Sequence, residues 1–126
     1  MHVQIINDNV FLANHLSCLS LVETIHSKKV SKGITVRVLA KANSKVKYAN
    51  GNKSELSFHP SPDGAAVIPL GDSGGYVYVS NSEVSKSKGG VYGLYFDHDG
   101  KVMDYKALLS GTSMNCGGGE YTTLLS

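Results

Sequence analysis

The sequence predicts an all-β protein, mainly an antiparallel meander, and three observations carry that expectation. From Gly33 onward, short apolar runs alternate residue by residue with polar positions, the period-two pattern of half-buried strands. The runs are punctuated by Asn-Gly, Pro-Asp-Gly, Gly-Asp-Ser-Gly-Gly and Asp-Gly clusters, the residues of tight turns. The 126 residues also include 14 Gly and seven Tyr but no Trp, a mix that leans towards β-structure with many turns. With 41% hydrophobic and 17% charged residues the chain is globular rather than disordered, and its length is room for one domain.

The elements follow in order. The apolar stretch "VFLANHLSCLSLVETI" (10–25) places Leu12, Leu16 and Leu19 near helical spacing. It predicts a short amphipathic helix within an N-terminal segment, 1–32, that is either helical or poorly ordered. The stretch is too short and too interrupted to span a membrane, and no signal peptide is evident. "GITVRVLA" (33–40) sets Ile34, Val36 and Val38 against Thr35 and Arg37, a half-buried strand. Residues 41–55 are polar and hold Asn50-Gly51, so they read as a loop or a hairpin. "SPDG" (61–64) is a turn and "AAVIPL" (65–70) a short strand. "YVYVSNSE" (76–83), "VYGLYFD" (91–97) and "KVMDYKALL" (101–109) are further strands, and 76–82, 91–97 and 102–109 are expected side by side in one sheet.

Two turns are spelled like functional loops. "GDSGG" (71–75) has the lettering of the trypsin-like nucleophile loop, but the chain is too short for that two-barrel fold. None of His2, His15, His26, His59 or His98 sits in that family's setting, and Tyr76 stands where its loop has Pro. Ser73 is therefore read as a turn residue, not a nucleophile. "DHDG" (97–100) lacks the spacing of a calcium loop, because Lys101 occupies the next ligand place and the glycine comes too early. It is read as a hairpin turn with acidic ends.

Charge is unevenly spread. Residues 1–59 carry eight Lys/Arg against three Asp/Glu, a balance of +5, and residues 60–126 carry four against seven, a balance of −3. The basic half lacks the interleaved aromatics of a nucleic-acid platform, which argues against a nucleic-acid partner. Carboxylates of the acidic half are candidates to hold metal ions. The two cysteines, Cys18 and Cys116, show no zinc-finger or C-x-x-C spacing; they are a disulfide, two free thiols, or one thiol with a function. Cys116 lies in "GTSMNCGGGE" (111–120), just after a strand and before three glycines. A thiolate there is an accessible soft metal ligand or nucleophile, or else a plain surface thiol.

Several segments in order resemble the N-terminal part of PhoX-type alkaline phosphatases. They are "GITVRVLAKA", "SFHPSPDGAAVIP", "GGYVYVSNSE" and "GGVYGLYFDHDGKVMDYKALLSGTSMNCGGG", and together they cover residues 33–120. The resemblance implies a β-propeller that hydrolyses phosphate monoesters with iron and calcium ions. It implies Cys116 as an iron ligand, Glu83 as a second metal ligand, and Asn81 as a substrate or calcium contact. Ser82 stands where that family often has His. After the glycines the family continues with Thr-Pro-Trp and a metal-binding glutamate pair, whereas residues 120–126 read "EYTTLLS". The expectation is thus a partial β-propeller of about one to two blades over 33–120 with a divergent tail, 121–126. Such a fragment is expected to be weakly active or inactive alone and to self-associate through open strand edges. A non-catalytic β-module that binds a ligand or partner is the alternative, and a propeller hydrolase such as a lactonase a further one. Family members are often exported; the sequence leaves the compartment open.

Overall fold

The computed structural model describes residues 2–6, 11–13, 21–25, 28–31 and 35–117. The chain forms two compact units, Met1–Lys41 and Ala42–Ser126. Almost all described structure is strand, as the turn-rich, β-branched sequence leads one to expect.

The first unit holds β1 (His2–Ile6), β2 (Phe11–Ala13), β3 (Leu21–Ile25), β4 (Lys28–Ser31) and β5 (Thr35–Ala40). β1 is the central strand of three, antiparallel to β2 and parallel to β5, with Val3 opposite Val36 and Ile5 opposite Val38. β3 and β4 form a separate hairpin. The helix expected within residues 10–25 does not hold over the described parts of that stretch: Phe11–Ala13 and Leu21–Ile25 are strands. "LVETI" carries Val, Thr and Ile, whose branched side chains favour a pleated strand over a helix. Leu16, Cys18 and Leu19 lie outside the described residues. The strand expected over 33–40 is present as β5, but it pairs with the N-terminal strand, so the unit carrying the meander begins at Ala42.

The second unit opens with the hairpin β6 (Lys45–Lys47) and β7 (Lys53–Ser57), which turns at Asn50-Gly51. Then come β8 (Pro62–Pro69), a 3-10 turn at Gly71–Ser73, β9 (Tyr76–Ser82), β10 (Gly89–Phe96) and β11 (Val102–Thr112). The four strands lie in the order β11-β10-β9-β8, every neighbour antiparallel. Segments 76–82, 91–97 and 102–109 are therefore adjacent in one sheet, as their alternation predicts.

Register explains the core. Leu94 on β10 faces Tyr78 on β9 and Tyr105 on β11, and all three are buried. Phe58 and His59, just past β7, pack on this row, with the Phe58 ring 5.3 Å from that of Tyr105. Three bonds tie the hairpin to β11: Ala49 N–H donates to the Val102 carbonyl at 2.7 Å, the Tyr48 hydroxyl donates to Asp104 Oδ1 at 3.1 Å, and that hydroxyl accepts the Tyr105 N–H at 3.2 Å. Burying a side chain such as Leu94 or Phe58 contributes about 1.5–3 kcal/mol, so this layer holds the hairpin on the sheet.

Both suspect turns are structural. Ser73 Oγ donates to the Leu70 carbonyl at 2.7 Å and accepts the Gly75 N–H at 3.4 Å. A Cβ on Gly75 would lie 2.6 Å from the Phe96 carbonyl oxygen, so glycine is required there by close backbone approach. In the other turn, Asp97 Oδ1 accepts the N–H groups of Asp99 and Lys101, both at 2.9 Å, so its carboxylate closes the hairpin. Among the described residues no helix is long and apolar enough to cross a membrane.

Candidate metal centre

One end of the four-stranded sheet gathers acidic and thiol groups from three distant segments. The topology dictates this. Pro62 at the start of β8 pairs with Ser82 at the end of β9; Ser82 also pairs with Gly90; and Gly89 pairs with Thr112 near the end of β11. Asp63, Glu83 and Cys116 follow these paired positions by one to four residues in sequence. The ladder is irregular between Pro62 and Ala65, at the "PDG" segment, and Glu83 N–H donates to the Ser61 carbonyl at 2.9 Å.

A carboxylate oxygen of Asp63, one of Glu83 and the Cys116 sulfur lie within 4.8 Å of one another. Asp63 and Cys116 are exposed and Glu83 is half-buried. Neighbouring donors on one ion, at bonds of about 2.1–2.3 Å, lie about 3.5–4 Å apart, so these side chains would have to close in to share an ion. A thiolate with two carboxylates mixes a soft donor with hard ones, which suits iron better than it suits calcium alone. An ion held by these three donors alone would keep coordination positions open.

The Cys116 loop is fastened to the sheet by side-chain amides. Asn115 Nδ2 donates to Asn81 Oδ1 at 2.9 Å and to the Gly90 carbonyl at 3.0 Å. Thr112 Oγ1 donates to Asn115 Oδ1, and Asn81 Nδ2 donates to the Gly117 carbonyl. Met114 N–H reaches the Val84 carbonyl at 3.1 Å. Gly89 permits this crowding: a Cβ there would lie 2.6 Å from the Ser82 carbonyl oxygen.

Of the residues singled out from the sequence, Cys116 and Glu83 come together here. Asn81 is buried beside them, and both ends of its amide are engaged by the Cys116 loop. Asp63 is the member that sequence reasoning missed. It sits in "SPDG", which reads as an ordinary turn, and only strand register brings it opposite the end of β9.

His59 lies in the same unit but offers no free nitrogen. Its Nδ1 is 2.9 Å from the Tyr105 hydroxyl and its Nε2 2.9 Å from Ser80 Oγ. Its ring stacks on Tyr92 at 4.6 Å, and burial pulls its pKa down from 6.5 to about 4, so it is neutral. Burial pushes the Tyr78 hydroxyl's pKa up to about 12.

Compared with family models, with curated proteins and with solved structures, the chain matches none.

Proposed function

We propose that this chain carries part of the metal site of a metal-dependent phosphatase of the PhoX type, within a partial β-propeller. The observation that supports the reading most is the convergence of Cys116 with Glu83 and Asp63 at one sheet end. The resemblance implied two of the three. A four-stranded antiparallel meander is also the shape of one propeller blade. Cys116, Glu83 and Asp63 would hold iron, and calcium would need further oxygen donors beside them. Bound there, a metal ion would supply Lewis-acid stabilisation of charge on a phosphoryl oxygen.

The chain alone is a weak catalyst in this reading. Two of the three donors are exposed, and a catalytic cluster needs several ligands oriented by surrounding groups. The test is iron binding and p-nitrophenyl phosphate hydrolysis with iron and calcium supplied, comparing wild type with Cys116→Ala. Binding that depends on Cys116, with little or no turnover, is the expected result. Iron binding unaffected by Cys116→Ala overturns the site, and strong Cys116-dependent turnover overturns the claim of weak activity.

A second reading, a non-catalytic β-module that associates through its edges, has its own support. β8 is an edge strand with Val67 and Ile68 exposed, and β11 is the other edge with Leu108 and Leu109 exposed. Unprotected edges with apolar side chains invite pairing with another chain. A molar mass that stays monomeric at high concentration rules out self-association through these edges.

A further inference from the structure

One buried amide touches both flanks of Cys116. Asn81 Oδ1 accepts from the side chain of Asn115, the residue before the cysteine. Asn81 Nδ2 donates to the carbonyl of Gly117, the residue after it. Asn81 lies near the end of β9, two residues before Glu83, and Glu83 N–H is bonded to the Ser61 carbonyl, two residues before Asp63. A single strand end therefore anchors all three donor-bearing segments.

We infer that Asn81 is a positioning residue: its amide sets the place of the Cys116 sulfur relative to Glu83 and Asp63, with Asn115 as the relay. The inference rests on the metal-site reading above. Without Asn81, the loop beyond Thr112 keeps the Met114 N–H bond to Val84, the Ser87 N–H bond to Ser113 Oγ and the Asn115 bonds to Gly90 and Thr112, but it loses the bond at Gly117, on the other flank of the cysteine. The backbone at Cys116 and Gly117 then samples more positions, and the thiol meets the carboxylates only part of the time. Both ends of the Asn81 amide are bonded to the Cys116 loop, and through that loop it acts on the place of the sulfur.

The test uses the full chain with Cys18→Ser, so that thiol signals report Cys116 alone. Cobalt(II) is titrated in and followed by its thiolate charge-transfer absorption, a signature that a change in overall stability does not create. Outer partners of metal ligands typically tune affinity by about 10–100-fold. Asn81→Ala and Asn115→Ala are each expected to weaken cobalt binding about tenfold or more, and the double variant no further than the weaker single. Thermal unfolding checks that each variant is folded; should Asn81→Ala fail to fold, Asn115→Ala carries the same test. Wild-type affinity in a folded variant overturns the inference. If wild type shows no thiolate band, the metal-site reading falls, and the backbone order parameters of Cys116 and Gly117 in the metal-free protein decide the clamp. A drop from a rigid value of about 0.85 to below about 0.6 in the variants upholds it, and unchanged values overturn it.

Discussion

Acid should unfold this chain through His59 before its carboxylates matter. The imidazole is buried against Phe58, Tyr92 and Tyr105, with both nitrogens engaged by neutral hydroxyls. Burial lowers its pKa from 6.5 to about 4. The unfolded chain therefore binds more protons than the folded one between those values. Stability is whole above pH 6.5, falls as pH drops through this window, and levels off with respect to His59 below about 4. A difference of about 2.5 pK units at about 1.36 kcal/mol each corresponds to a loss of roughly 3 kcal/mol, a large part of a typical total of about 5–15 kcal/mol. The carboxylates act lower. Asp104 is held below the usual range by the Lys106 ammonium, so its contribution is present above its unfolded pKa and is lost as pH falls through the lower folded value. The assay is urea unfolding followed by circular dichroism at several pH values from 7 to 4, for wild type and His59→Phe. Phenylalanine keeps a ring in the aromatic stack and cannot take the proton; its backbone N–H can still donate to Tyr105. The variant should be less stable at pH 7 but nearly flat down to pH 5. Equal slopes for the two proteins would refute the reasoning.

Other outcomes follow from the same core and turns. Tyr105→Phe removes the acceptor of the His59 N–H and the partner of its Nδ1, and two buried groups left unpaired at about 1–3 kcal/mol each should lower the urea midpoint clearly at pH 7. Leu94→Ala, at the centre of the sheet's buried row, should cost about 2–5 kcal/mol by the same assay. Gly75→Ala forces a Cβ against the Phe96 carbonyl and should lower the melting temperature, whereas Ser73→Ala should change it little. Ser73 should also resist a fluorophosphonate probe, since its hydroxyl is donated to Leu70.

The meander was legible because alternation and turn residues act locally. Val77 and Val79 against Tyr76 and Tyr78, and the Asp-Gly of 99–100, each specify strand or turn within a few residues. The pairing of Thr35–Ala40 with His2–Ile6 was not, because partner choice across some thirty residues leaves no trace in either strand's pattern. At Leu21–Ile25 the expected helix gave way to a strand because the branched Val, Thr and Ile side chains favour the pleat. At the candidate site Cys116 and Glu83 were readable from the resemblance. Asp63 was hidden because register, not spacing, places it. The clamp role of Asn81 was hidden for the same reason, since it depends on where a loop more than thirty residues away returns to the sheet.

The central claim is that Cys116, Glu83 and Asp63 hold one metal ion. X-ray absorption at the iron edge, on the Cys18→Ser chain loaded anaerobically with iron(II), tests it most directly. The account predicts one sulfur neighbour at about 2.3 Å among oxygen neighbours, lost in Cys116→Ala. Glu83→Gln and Asp63→Asn should each weaken the loading while the sulfur remains. A spectrum with only light-atom neighbours in the unmodified Cys116 protein, or one identical in Cys116→Ala, would contradict it.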